Sequence, residues 1–253
     1  MNLLQSMVIA FSMYSKIPMP RVDWNEKNMK YAMCFFPLVG GIEGILMLLA
    51  GKLLMESGFG KIFVAAVMTL LPILITGGIH MDGFMDTMDA LSSYGDREKK
   101  LAILKDSHAG AFAILGMGCY LVWNVALWTE VKEQMLPVIV CGYVLSRACS
   151  GYSVVTFPSA RDSGLAKTFQ DGAHRQRGRI VMLLWMAAIS VGMLWMQPVS
   201  GSVEILCALV VFLYYRHICR KQFGGMTGDL AGYFLQLCEL AMLTGVVLVG
   251  RFF

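Results

Sequence analysis

Apolar blocks of roughly membrane-spanning length, repeated along the whole chain and separated by short polar loops, constrain this sequence more than any other feature. A helix needs about 20 such residues to cross the hydrocarbon core of a bilayer. The blocks fall near 31–51, 61–80, 109–129, 135–156, 180–197, 204–219 and 229–250. Irregular backbone cannot face lipid, and no block alternates as a barrel strand would, so each is read as a helix. Of the 253 residues 57% are hydrophobic and only 15% charged, against roughly 25% charged in a soluble domain. The expected fold is therefore all-α: a polytopic transmembrane bundle of about seven spans, forming one domain over residues 1–253 without a soluble appendage. The first twenty residues carry an apolar stretch with no basic start and no small-residue cleavage site, so we expect a retained short membrane or interfacial helix there.

The basic residues sort the loops. Segments 16–30, 97–105, 161–179 and 216–221 hold sixteen Lys and Arg, whereas the alternate loops and the C-terminus hold only Lys52, Lys61, Lys132 and Arg251. Such strict alternation places the first group in the cytoplasm. It also accounts for the net charge of +4, so no nucleic-acid partner is expected. Seven cysteines without CxxC spacing, mostly inside apolar blocks, read as small buried hydrophobes.

Polar motifs gather on that same cytoplasmic side. "GGIHMDGFMDTMDALSSYGD" places Asp82, Asp86 and Asp89 at i, i+4 and i+7, within about 60° of one another on a helix. A helix dipole would favour one or two acids at its start, but not three on one stripe among Met81, Phe84, Met85 and Met88. Three carboxylates at a membrane boundary repel one another, and a divalent cation removes that cost. Magnesium, which binds through a few carboxylates plus substrate phosphates, is the expected cofactor. His80 would point away from the stripe on a continuous helix, unless Gly77 and Gly78 break it. It is read either as a structural histidine or as a base or ligand.

Further along, Lys105, Asp106 and Ser107 precede the next span. Asp106 or Ser107 is expected as its N-cap, Asp106 also as a further metal ligand, and the helix start beside Lys105 as a phosphate site. Arg147 is the one basic residue inside a span. It pairs with Glu43 or Glu239, or it meets a substrate phosphate. Arg161 and Lys167 are candidate phosphate ligands, and "FGGMTGDLAGY" offers Gly225 and Asp229 in a glycine turn before a helix. Acidic ligands, glycine turns and Lys/Arg on one face fit phosphoryl or nucleotidyl transfer. No Walker loop, zinc motif or Ser-His-Asp spacing is present.

The block "GGIHMDGFMDTMDALSSYGDREKKLAILKDSHAGAFAILG" resembles the signature of the cobalamin (5′-phosphate) synthase family, also called adenosylcobinamide-GDP ribazoletransferases. "KIPMP", "FFPLVG", "LSR" around Arg147, "ARDSGLAKTF" and "FGGMTGD" extend the likeness, in order, over nearly the whole chain. The resemblance implies a magnesium-dependent enzyme of the prokaryotic cytoplasmic (inner) membrane, working on the cytoplasmic side. It would join adenosylcobinamide-GDP to α-ribazole or its 5′-phosphate and release GMP, late in cobalamin biosynthesis. On that basis Asp82, Asp86 and Asp89 become metal ligands, and a stripe carboxylate such as Asp89, or His80, takes the hydroxyl proton. Lys105, Ser107, Arg147, Arg161, Lys167, Gly225 and Asp229 would contact substrate. The chain departs from the family pattern at His108, where an Arg is expected, in "GLAK", and at Glu43. Lipid is the expected surrounding, and the pattern is compatible with a homo-oligomer.

Two alternatives stand beside this reading. A CDP-alcohol phosphotransferase would carry DGxxAR, and the Ala-Arg pair is missing from "DGFMDTMD" here. A transporter could use Glu43, Arg147 and Glu239 as an ion path, but transport sites favour the bilayer midplane, whereas these motifs cluster at its cytoplasmic edge.

Overall fold

The computed structural model describes residues 3–161 and 174–252. Lys167 falls outside that set. The chain runs through α1 (Leu3–Tyr14), α2 (Glu26–Met29), α3 (Phe36–Glu56), α4 (Lys61–Thr76), α5 (Ile79–Ser92) and α6 (Arg97–Ile103). It continues through α7 (Ala111–Glu130), α8 (Leu136–Thr156), α9 (Arg175–Met196), α10 (Pro198–Ile218) and α11 (Gly228–Val249). No strand occurs among the described residues; one isolated bridge joins Ser159 to Met226. Six helices are long and apolar enough to cross a membrane, or seven if the bent pair α4–α5 counts as one span. The all-α polytopic bundle expected from the sequence is what is found.

Helix α8 is the hub. Within its membrane-length window 83% of the residues are buried, against 11% in α9, so α8 forms the axis and α9 the lipid-facing rim. Gly40 and Gly44 let α3 cross α8 with backbones nearly touching: a Cβ on Gly44 would lie 2.7 Å from the Val140 carbonyl oxygen. Close approach through small residues is a common way for helices to associate where lipid is as apolar as leucine. At 12 residues α1 reaches only about 18 Å and does not span.

The largest departure from the expected layout lies at 61–80. Helix α4 ends early, at Thr76, because Gly77 and Gly78 adopt φ +67° and +79°, a left-handed conformation that residues with a Cβ avoid. The chain then turns by 97° into α5. The polar stripe therefore sits on a separate helix, set at that angle to α4 and packed against α7 and α11.

Hydrogen bonds tie the basic segments together at one end of the bundle. Lys16 N–H donates to Ile75 O (2.7 Å) and His174 N–H to Lys30 O (3.3 Å). Lys100 Nζ donates to Gln222 Oε1 (2.5 Å), and Arg161 Nη2 to Leu101 O (2.9 Å). The charge alternation along the sequence thus corresponds to two physically distinct ends.

Candidate active site

Helix α5 reaches its position through glycine. A Cβ on Gly83 would lie 2.7 Å from Asp229 O, and one on Gly232 3.0 Å from His80 O, so the first turns of α5 and α11 meet backbone to backbone. This contact brings Asp82 and Asp229, far apart in sequence, to the wall of one cavity of about 370 Å³. Arg161 joins them from the segment after α8. Its Nη1 lies 3.5 Å from Asp229 Oδ2, and its bond to Leu101 O fixes the other arm. Arg161 is placed by a short paired stretch: Ala160 N–H donates to Met226 O (2.9 Å) and Met226 N–H to Pro158 O (2.8 Å). Gly225 is required there, since a Cβ would meet Ala160 N at 2.5 Å. Its place is therefore beneath the site, positioning Arg161.

Thr227 caps α11 by accepting from Leu230 N–H (3.2 Å), and it lines the cavity with Gly228, Ser150 and Ser159. The sequence reading passed over Thr227, although a hydroxyl residue opening an apolar run is an N-cap signal. Tyr14 and Phe36 add an aromatic wall; in the sequence they are indistinguishable from ordinary membrane aromatics.

The three stripe carboxylates do share α5, as their spacing implies. The Asp82, Asp229 and Asp89 carboxylates bear on Asp86, and among the described residues Arg161 is the cation that opposes them. Their surroundings differ: Asp82 is exposed, while Asp86 and Asp89 are half-buried. Asp89 reaches α7, accepting from Gly110 N–H (2.5 Å) and Ala113 N–H (2.9 Å). This corrects the expected capping. Neither Asp106 nor Ser107 caps α7; the cap comes from α5, because the helix begins only at Ala111. Asp106 instead accepts from His108 N–H (3.0 Å) and meets His108 Nδ1 at 2.7 Å. That side-chain bond, with the backbone bond beside it, holds the Asp106 carboxyl below the usual carboxylate range. Lys105, Asp106 and Ser107 are all exposed on the loop between α6 and α7.

His80 is buried, 4% exposed, and lines the cavity together with Asp82. Both sit in the first turn of α5, and the cavity wraps around that turn, so no further break is needed to bring them together. Arg147 lies outside the cavity wall. Its Nη2 donates to Glu43 Oε2 (2.8 Å), and its Nη1 pairs with Glu239 Oε1. Both carboxylates weighed from the sequence are therefore engaged at once.

Among the described residues no three His, Cys, Asp or Glu side chains converge closely enough to hold a metal ion by themselves. The oxygen donors and the excess of negative charge nevertheless suit magnesium, which commonly takes one or two carboxylates and completes its octahedron with water and substrate phosphate. Asp82 and Asp229 on the cavity wall, with Asp86 beside them, could supply the protein's share.

Comparison with known proteins decides the family. The cobalamin-5-phosphate synthase family model matches residues 6–247. This chain belongs to that family. It is 45% identical over 248 residues, 98% of this chain and 95% of the relative, to the adenosylcobinamide-GDP ribazoletransferase of Lachnoclostridium phytofermentans. The Clostridium perfringens protein of the same name is 32% identical over 96% of each chain. The one from Pseudomonas fluorescens is 33% identical over 86% of this chain and 88% of its own. No solved structure matches.

Proposed function

We propose that the protein joins adenosylcobinamide-GDP to α-ribazole or α-ribazole 5′-phosphate, giving adenosylcobalamin or its 5′-phosphate and GMP. The observation that carries this reading is the meeting of Asp82, Asp229 and Arg161 on one cavity wall, in a member of this family. A ribazole 3′-hydroxyl attacks the cobinamide-side phosphorus, the new phosphate ester forms, and the P–O–P bond breaks toward GMP. The hydroxyl proton passes to a rim carboxylate of α5, Asp82 or Asp86. Asp89 is poorly placed for that role, because two backbone N–H groups of α7 already occupy its oxygens.

Asp82, Asp86 and Asp229 would hold magnesium, which when bound neutralises and orients the diphosphate. Arg161 adds fixed positive charge on the same wall, and its two-armed anchoring limits the reorganisation needed as charge develops. Lys105, exposed on the loop between α6 and α7, supplies further positive charge for the phosphates, and Lys167, outside the described residues, is the other lysine candidate from the sequence. The sixteen-to-four distribution of Lys and Arg supports an inner-membrane location with this end in the cytoplasm, where the nucleotide substrate and magnesium are found.

The test is product formation by purified protein in detergent or liposomes, with and without magnesium. GMP and corrinoid product should appear together, vanish with chelator and return with added magnesium. Folded protein that makes no product from either ribazole form would sink the reading.

A further inference from the structure

The cavity has two unlike halves. At the mouth stand Asp82, Asp229 and Arg161. Behind them the wall is aromatic and aliphatic: the Tyr14 and Phe36 ring centroids are 4.2 Å apart, each lies 6.1 Å from the His80 ring, and Val154 and Leu235 close the side. Two of the polar groups on the wall are already engaged. Ser159 Oγ donates to Arg161 O (2.6 Å), and Thr227 Oγ1 accepts from Leu230 N–H (3.2 Å). His80 Nε2, by contrast, is buried with no hydrogen-bond partner among the described residues. A buried polar atom left unpaired costs roughly 1–3 kcal/mol, and because His80 is among the residues lining the cavity, a guest that reaches its ring would relieve that cost.

Resting on the reaction proposed above, we infer that this inner half is the acceptor subsite. It would hold the benzimidazole ring of α-ribazole against Tyr14 and Phe36, with the His80 imidazole hydrogen-bonded to the one unsubstituted ring nitrogen. The competing heterocycle is the guanine of the other substrate. Guanine presents a carbonyl, a ring N–H and an amino group along one edge, more groups than the His80 imidazole and the Ser150 hydroxyl on this wall would pair, so burying it there would leave polar atoms unsatisfied. Benzimidazole is a flat hydrocarbon body with a single acceptor, which is what this wall accommodates. About 370 Å³ suits a nucleoside-sized guest; the corrinoid is far larger and stays outside the mouth. A ring seated inward directs its ribose outward, toward Asp82 and Arg161, where the diphosphate must lie. His80 is then a specificity-determining contact, and proton removal belongs to the rim.

The test uses the purified full chain in detergent with three probes: α-ribazole, its analogue in which the unsubstituted ring nitrogen is replaced by CH (an indole riboside), and GMP. Affinity for the resting protein and KM in turnover are both read. Wild-type protein should bind α-ribazole about tenfold more tightly than the indole analogue, the worth of one hydrogen bond. His80→Phe should lose about that tenfold for α-ribazole and no longer distinguish the two, with GMP affinity and the KM for adenosylcobinamide-GDP unchanged. His80→Gln, which keeps an amide donor, should retain part of the discrimination and guards against a merely misfolded Phe variant. Wild-type protein indifferent to the ring nitrogen would overturn the assignment. So would a His80→Phe variant whose loss falls on GMP or adenosylcobinamide-GDP. Because the affinities are measured without turnover, protein that binds α-ribazole selectively yet makes no product would refute the reaction and leave the subsite standing.

Discussion

Helix α11 carries members of two charged clusters, Asp229 at its start and Glu239 ten positions on, about 15 Å along the axis. Around Glu239 the charges are buried and in direct contact: the Arg147 guanidinium, 1% exposed, meets two carboxylates, Glu43 at 0% and Glu239 at 11%. Around Asp229, among the described residues, acids outnumber Arg161, and the group opens to a cavity. A paired set inside the bundle fixes how α3, α8 and α11 sit together. An unbalanced set at the edge awaits a charged guest. Intramembrane charge therefore separates into scaffold and site by whether the charged groups close on one another inside the bundle or open to a cavity.

The largest expected effect tests the scaffold. Arg147→Met leaves two buried carboxylates facing no cation and should cost about 3–5 kcal/mol, read as a drop in the detergent unfolding temperature and loss of monodisperse protein. Adding Glu43→Gln and Glu239→Gln should recover most of it. A single variant that stays well folded but inactive would move Arg147 into the site and erase the contrast.

Next comes the rim. Asp82→Ala should lower turnover by about 10² or more through lost metal and diphosphate binding, with stability changed by less than about 0.5 kcal/mol because Asp82 is exposed. Unfolding in step with the lost activity would make Asp82 structural. Asp89→Ala should behave in between: loss of the cap on α7 costs about 1 kcal/mol, and activity falls only as far as α5 shifts. Activity lost as completely as with Asp82→Ala, at unchanged stability, would return Asp89 to the ligand set. The smallest effect is expected from Asp106→Asn, which removes a carboxylate already bonded to His108 on an exposed loop. A clear rise in the magnesium requirement there would extend the site beyond the cavity.

The sequence showed the spans because they follow from local composition: membrane length fixes the blocks, and the placement of Lys and Arg sorts the loops between them. Spacing alone also put Asp82, Asp86 and Asp89 on one helix. Their division of labour could not be read locally, since it depends on what packs against α5. Gly110 and Ala113 claim Asp89, whereas Asp229 and Arg161 approach Asp82 from distant parts of the chain. The Gly77-Gly78 turn was visible as flexibility but not as a 97° redirection, which needs α11 to pack against. The Asp106 and Ser107 capping signals misled because α7 starts later than its apolar block, and a better acceptor arrives from another helix.

The glycine contact between α5 and α11 also dictates an order of events during synthesis. Asp82 emerges with the fifth helix and Asp229 with the last, and their separation is set where Gly83 and Gly232 bring the two backbones together. Until α11 inserts, α5 rests on α7 without its second neighbour, and the cavity lacks the wall that α11 supplies. A nascent chain thus cannot engage nucleotide or metal in a half-built site, and competence arrives with the final helix.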